Sequence, residues 1–205
     1  MANRILGVQV QGTTIVEIQS KIQKAEDLGI QGVWMTAGGA SLDSMTCFAA
    51  SASSTSNLKM GTSIVPTYPR HPLVMAAQAQ VVAQLAPGRF RLGVGPSHRP
   101  TIEGMGINFS APLGHLREYI RILKDLLQGG SVDFNGTHYQ ARATIPGPLD
   151  IEVMGSALSK GSFELLGEIS DGAISWLCPA SYLRDVAIPA MEKAAKEAGR
   201  STPPL

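Results

Sequence analysis

The sequence predicts an α/β fold in which parallel strands alternate with helices. The clearest observation is the segment from Lys59 to Gly95, which has the pattern strand, loop, helix, strand and so predicts a βαβ unit. Such a connection makes its two strands parallel and its crossover right-handed. Composition agrees, because only 16% of the 205 residues are charged and 5% are aromatic, while alanine, glycine and aliphatic residues dominate. That balance is typical of α/β enzymes with buried parallel strands.

The other elements follow from apolar runs and from helix-capping signals. Thr14 with Glu17 predicts a capping box at the start of the first helix, and Asp43 can cap the second. Trp34 and Trp176 fall in or near predicted strands, and we expect both to pack in the core. Strands are predicted at six places: Ile5–Val10, Val33–Thr36, Lys59–Ile64, Phe90–Val94, Ile151–Met154 and Ala173–Trp176.

Two inserted segments interrupt the alternation. Residues 96–112 are too long for an ordinary loop between a strand and a helix, and long loops on a functional face commonly carry substrate contacts or form a lid. Further on, Asn135-Gly136 is flanked by alternating apolar residues. This pattern predicts an antiparallel hairpin over residues 131–142 that turns at these two residues and lies outside the main sheet.

Charge, cysteine usage and hydropathy narrow the functional classes. The formal net charge is +1, so we expect neither nucleic acid nor an anionic membrane surface as a partner. Cys47 and Cys178 are far apart and no Cys/His cluster has metal-ligand spacing, so neither a disulfide framework nor a metal is predicted. The longest apolar run, Val74–Leu85, is interrupted by three glutamines. Because Met1–Arg4 leads straight into a predicted strand, we expect a cytoplasmic protein without a signal peptide or membrane span.

The segment GTSIVPTYPRHPLVMAAQAQVVAQLAPGRFRLGVG, residues 61–95, resembles the signature region of the luciferase-like flavin and deazaflavin oxidoreductases. The resemblance covers nearly all of residues 1–205 and implies one (β/α)8 TIM barrel domain. It also implies a cofactor that is either coenzyme F420, a deazaflavin, or FMN. A closed barrel needs eight βα units and about 250 residues is typical, whereas this sequence predicts six. We therefore expect a barrel that is incomplete in this chain.

The resemblance assigns cofactor contacts to the ends of three strands. It places a cis peptide bond without proline at Ser63–Ile64, where the backbone would press on the middle ring of the cofactor. Small residues between a strand and a helix N-terminus also offer free N–H groups to a phosphate, although Ser156 could simply cap the helix. The expected cofactor-binding residues are Ser63, Ile64, Val65, Gly95, Pro96, Ser97, Gly155, Ser156 and Ala157.

Polar residues near the same strand ends are candidates for chemistry. His98 is a candidate proton donor or acceptor, and Arg99 is a candidate clamp for an anionic substrate or cofactor tail. Both could equally be a solvated surface pair. His71, at the start of the third helix, is a candidate substrate contact or a helix cap. His115 and His138 receive no role.

One departure from the family pattern concerns the end of the second strand. Several deazaflavin dehydrogenases of the family carry an Asp-His pair there as catalytic groups, and the matching positions in this sequence are Ala37 and Gly38. Thr36 remains as a candidate catalytic hydrogen-bond donor. The sequence gives no code for the substrate.

Three functions are compatible with these observations. The first is an oxidoreductase that transfers a hydride between F420 and a small organic substrate, with the cofactor supplying the chemistry. The second is an FMN-dependent monooxygenase that needs a partner reductase. The third is a barrel fragment without catalytic activity.

Because the first and sixth strands would leave unpaired edges, we expect them to be completed by missing residues or by a partner copy, as in a homo-oligomer such as a dimer.

Overall fold

The computed structural model describes residues 5–205 and confirms the α/β fold with parallel strands. The main sheet has the order β1-β2-β3-β5-β8-β9, every pair in it is parallel, and β4 pairs with β5 beside β3. Its strands are β1 (Gly7–Gln9), β2 (Gly32–Met35), β3 (Lys59–Thr62), β4 (Val65–Pro66), β5 (Phe90–Gly95), β8 (Glu152–Ala157) and β9 (Gly172–Ser175). A separate antiparallel pair consists of β6 (Ser131–Asn135) and β7 (Gln140–Thr144).

Helices follow the strands in the predicted alternation. They are α1 (Ile15–Asp27), α2 (Ser44–Ser51), α3 (Pro72–Leu85), α4 (Arg99–Glu103), α5 (Pro112–Leu127), α6 (Lys160–Ile169), α7 (Ala180–Tyr182) and α8 (Ile188–Glu197). Thr14 caps α1 through a hydrogen bond from the N–H of Glu17, and Asp43 caps α2 through one from Thr46, as the sequence predicts. Within residues 5–205, no helix is long and apolar enough to cross a membrane.

The core lies between one face of the sheet and the helices. Val33 of β2, Leu92 of β5 and Val153 of β8 are fully buried there, together with the apolar face of α5. The opposite face of the sheet is concave. A methyl group added to Gly93 of β5 would lie 2.5 Å from Cδ1 of Ile174 in β9, which reaches across the intervening strand. Strands two places apart approach each other in this way only when the sheet curls.

The predicted third strand is interrupted. It ends at Thr62 and resumes as β4, because Ser63 and Ile64 form a bulge between the two segments. The hydroxyl of Thr62 replaces the missing backbone pairing with β5, since its Oγ1 accepts from the N–H of Gly93 and donates to the carbonyl of Gly93, both at 2.8 Å. The bulge is therefore anchored on a fully buried side chain.

The hairpin lies outside the main sheet, as predicted, but the predicted turn at Asn135-Gly136 is wrong. Asn135 pairs with Gln140, and the N–H of Gly136 donates to the carbonyl of Tyr139 at 2.9 Å, so the chain turns at residues 137–138. The cause is Glu118 of α5. Its carboxylate accepts the backbone N–H groups of all three residues 137–139, at 2.8 to 3.0 Å, and these charge-assisted bonds hold the turn against the helix.

Strand β9 lies at one edge of the described sheet. The N–H of Ala173 in β9 donates to the carbonyl of Pro204 at 2.8 Å, so the segment near Pro204 covers part of that edge. Strand β1, at the other edge, pairs with β2.

Candidate active site

The peptide bond between Ser63 and Ile64 is cis, as the resemblance implies. Two hydrogen bonds tie it to the end of β2. The N–H of Ser63 donates to the carbonyl of Met35 at 2.8 Å, and the carbonyl of Ile64 accepts from the N–H of Ala37 at 3.2 Å. The bulge is thus held between the carboxyl ends of β2 and β5.

Gly95 at the end of β5 adjoins this bulge. A methyl group added to Gly95 would overlap Oγ of Ser156 in β8 and lie 3.2 Å from Cγ1 of Ile64. Three of the predicted strand ends therefore converge on one small space, which exists because residue 95 has no side chain. We call the surface formed by Ser63, Ile64, Gly95 and Ser156 the cradle.

The predicted loop Gly155-Ser156-Ala157 is a strand instead. These residues complete β8, and α6 begins only at Lys160, after its N-cap Ser159. A methyl group on Gly155 would overlap Leu166 of α6, so Gly155 faces the helices and is glycine because the helix packs closely there. Successive strand residues face opposite sides, which leaves Ser156 as the member of this trio on the concave face.

The residues after Gly95 turn the chain into the inserted segment 96–112. Pro96 and Ser97 are half-buried, and Ser97 has a positive φ of 65°. The segment contains α4 and packs through buried Phe109 on the ring of Tyr68, 5.0 Å between centroids. The Tyr68 hydroxyl also donates to the carbonyl of Ser110. The segment is therefore packed onto the loop that follows β4.

His98 and Arg99 lie at the base of this segment and differ in their surroundings. His98 is exposed and makes no side-chain cap to α4. The guanidinium of Arg99 donates to Glu103 and to the carbonyl of Phe109, both at 2.9 Å, and lies 4.9 Å from the centroid of the Phe109 ring. Arg99 thus holds the inserted segment together, while His98 is open to solvent, three residues after Gly95 of the cradle.

His71 and Thr36 lie at neighbouring strand ends. Nδ1 of His71 accepts the N–H of Leu73 at 3.2 Å, so His71 caps α3, which was the alternative interpretation of this residue. Thr36 is exposed and lies just beyond β2, next to Ala37, whose N–H binds the bulge. Thr36 is therefore adjacent to the cradle, whereas the His71 imidazole is committed to the helix cap.

The sequence interpretation missed a buried group behind the bulge. His115 of α5 is 6% exposed, and its Nε2 lies 2.9 Å from Oγ1 of Thr67 and 3.1 Å from the hydroxyl of Tyr139. Its ring stacks on Tyr68, with 3.8 Å between centroids and an interplanar angle of 5°. Burial, and to a smaller extent the nearby charge of His138, lowers the pKa of His115 to about 4, so the imidazole is neutral at pH 7.

The concave face below the cradle is part polar and part aromatic. Arg91 of β5 and Glu152 of β8 form an ion pair there. The Trp34 ring lies over Gly61, where an added methyl group would overlap it. Trp34 is half-buried, and Trp176, just beyond β9, is 54% exposed, so the expectation that both pack in the core is wrong. Trp176 lies past the last strand residue, beyond the layer that the helices cover.

The fold and the cradle define a barrel-type protein whose candidate site lies at the carboxyl ends of its strands, where parallel α/β folds bind ligands. The chain belongs to the luciferase-like monooxygenase family, whose model matches residues 2–205.

Two of the relatives that resemble this chain in sequence are reductases. The 5,10-methylenetetrahydromethanopterin reductase of Methanopyrus kandleri is 30% identical over 207 residues, which cover 90% of this chain and 58% of the relative. The corresponding enzyme of Methanolobus tindarius is 29% identical over 196 residues, covering 93% of this chain and 59% of the relative. This chain therefore spans less than two thirds of the length of these relatives.

A solved structure supports the same relationship. The coenzyme F420-dependent tetrahydromethanopterin reductase from Methanopyrus kandleri superposes with a TM-score of 0.84 and is 26% identical. The match covers 98% of this chain and 63% of that one. The described strands and helices thus correspond to part of a luciferase-like barrel.

Proposed function

We propose that this chain binds coenzyme F420 and takes part in hydride transfer between that cofactor and a small organic substrate. The observation that carries the proposal is the cradle: the bulge at Ser63–Ile64, the side-chain-free position at Gly95 and the Ser156 hydroxyl converge at the carboxyl ends of β4, β5 and β8. The kinship with reductases, one of them named as F420-dependent, supports the identity of the cofactor.

The cradle suits a flat, partly apolar ring. Ile64 supplies apolar surface, and Gly95 lets the ring approach the backbone closely. Val65, the other predicted contact in this segment, is buried in the core and supports the bulge from behind. Pro96 and Ser97 continue the same wall. When bound, F420 would supply the hydride chemistry, while the chain binds and orients it and limits access of water.

Polar groups around the cradle have distinct proposed roles. The Ser156 hydroxyl is a hydrogen-bond partner for the polar chain of the cofactor. His98 is the group best placed to exchange a proton with a ligand, because its imidazole is exposed and does not form a hydrogen bond that caps α4. Thr36, beyond β2, is a hydrogen-bond donor to the substrate. Arg99 acts indirectly, because it braces the segment that carries His98.

We also propose that two copies of the chain associate. The outer face of α3 exposes Val74, Val81 and Leu85, which are 53%, 51% and 44% accessible and recur on one side of the helix. Light scattering should give a dimer mass, and Val81→Glu should shift it toward the monomer. A monomeric wild-type chain would overturn this part of the proposal.

Titration of the purified chain with F420 and, separately, with FMN tests the cofactor assignment. Absorbance and fluorescence should show saturable binding of F420 and weaker binding of FMN. Gly95→Ala should weaken F420 binding by about tenfold or more, since the added methyl group would overlap Oγ of Ser156, lie 2.9 Å from its Cβ and displace that residue of the cradle. Gly147→Ala is the matched control, because its added methyl group meets no atom within 4 Å.

Preferred binding of FMN would favour the monooxygenase interpretation. Binding of neither cofactor would favour a chain without catalytic activity. F420 affinity that is equal in wild type and Gly95→Ala would place the cofactor elsewhere.

A further inference from the structure

Thr67 joins the cradle to the buried group behind it. It directly follows β4 and is fully buried. Its backbone N–H donates to the carbonyl of Gly95 at 2.9 Å, and its hydroxyl lies 2.9 Å from Nε2 of His115. Thr67 therefore bonds through its backbone to the strand end that forms the cradle. Through its side chain it contacts the imidazole of His115, which lies in the helical layer of the fold.

His115 contacts the segment after β4 and the hairpin directly, and it is linked to the inserted segment 96–112 through Tyr68. Its Nε2 is shared between Thr67 and the hydroxyl of Tyr139 in the hairpin, 3.1 Å away. Its ring stacks on Tyr68, whose hydroxyl bonds to the inserted segment 96–112. Tyr139 is itself held in place, since its N–H donates to the carboxylate of Glu118 at 3.0 Å.

Because these contacts are buried, breaking any one of them is energetically costly. Leaving one buried hydroxyl or ring nitrogen without a partner costs about 1–3 kcal/mol. Displacement of Thr67 would therefore break its bond to His115 as well as its bond to Gly95. The Nε2 of His115 is shared between two hydroxyls, so His115 reaches Gly95 through Thr67, whose N–H binds the carbonyl of Gly95. Its stacking on Tyr68 gives a second connection, to the inserted segment that follows Gly95.

We propose that Thr67, His115 and Tyr139 form a positioning network through which the hairpin and the inserted segment set the geometry of the cradle for the cofactor ring. The inference rests on the proposed binding of F420. His115 and Tyr139 are positioning residues, because they act on Gly95 through Thr67, and His115 acts on the inserted segment through Tyr68.

Three conservative variants remove the network and one matched variant does not. Each of the three conservative variants keeps a side chain of similar shape but removes one of the polar groups that form the two hydrogen bonds of the network. The variants are Thr67→Val, His115→Phe and Tyr139→Phe. Tyr119→Phe is the control. Tyr119 is fully buried and packs 5.6 Å from Tyr139 between ring centroids, yet its hydroxyl has no hydrogen-bond partner among the described residues.

Two readouts separate positioning from packing. The first is the F420 dissociation constant together with the absorbance spectrum of the bound cofactor. Each network variant should weaken binding by about fivefold or more, the equivalent of one lost buried hydrogen bond, and should shift the spectrum. The second is amide hydrogen exchange of Thr67 without cofactor, which reports its bond to Gly95 directly. Exchange should accelerate in the three variants and stay at the wild-type rate in Tyr119→Phe.

The outcomes distinguish this inference from the proposed function. Failure of the wild-type chain to bind F420 overturns the proposed function, and the exchange rates then decide the inference alone. Unchanged Thr67 exchange in all network variants overturns the inference, as does an equal loss of F420 affinity in Tyr119→Phe. If His115→Phe does not fold, Thr67→Val decides the question, because it removes only the hydroxyl and retains the backbone N–H whose exchange is measured.

Discussion

Lowering the pH should destabilise this chain through His115. The folded chain holds the pKa of His115 at about 4, mainly by burial and also through His138, while the carboxylate of Glu118 opposes the shift. An unfolded chain would restore the ordinary pKa of 6.5. Between these values the unfolded chain binds a proton that the folded chain does not. The stability is therefore complete above about pH 6.5 and falls as the pH drops toward 4.

The size of the effect follows from the two pKa values. Their difference corresponds to about 3 kcal/mol of unfolding free energy, of which about 2.5 kcal/mol should be lost between pH 7 and pH 4.5. Other groups, including Glu118, also respond to acid in this range. The comparison must therefore be with His115→Phe, which keeps a ring against Tyr68 and cannot titrate.

Urea unfolding of both proteins at a series of pH values measures this effect. At pH 7 the wild type should be the more stable, since the variant leaves Thr67 and Tyr139 without their shared partner. The difference between the two should shrink by about 2.5 kcal/mol by pH 4.5. A difference that stays constant with pH would refute the argument, because it would mean that His115 titrates alike in the folded and unfolded chain.

Three further predictions test other parts of the structure. Gly155→Val should lower the unfolding free energy by about 1–3 kcal/mol, because the new side chain would overlap Leu166, and a neutral result in urea unfolding would contradict the close packing of β8 on α6. Glu118→Gln should speed amide exchange at residues 137–139 relative to α1, and equal protection would show that the carboxylate does not hold the hairpin loop. Arg99→Ala should raise the rate of proteolysis within residues 99–110 by about tenfold, because a salt bridge and a bond to Phe109 are lost. Exposed Lys193→Ala is its control, and equal cleavage would mean that Arg99 does not brace the segment.

Local patterns in the sequence were sufficient for the parallel strands, because apolar runs and helix caps are local signals. The cis bond at Ser63–Ile64 was predicted only through the family resemblance. The end of β8 was not predictable in the same way. Gly155 has the small side chain of a loop residue, but its lack of a side chain serves packing against Leu166, which comes eleven residues later.

The hairpin turn and the buried histidine show two other limits. Asn135-Gly136 favours a turn at those two residues, and the distant carboxylate of Glu118 overrides it. His115 could have been found, because it lies four residues before Tyr119 on the apolar face of α5. Its contact with Tyr139 could not, since that depends on where the hairpin packs.

A crystal structure of the chain soaked with F420 tests the central claim most directly. The deazaflavin ring should lie against the Ser63–Ile64 bond and Gly95, with Ser156 within hydrogen-bond distance of the cofactor. Gly95→Ala crystals soaked in parallel should show reduced occupancy. A ring bound outside the cradle, or equal occupancy in both crystals, would contradict the account.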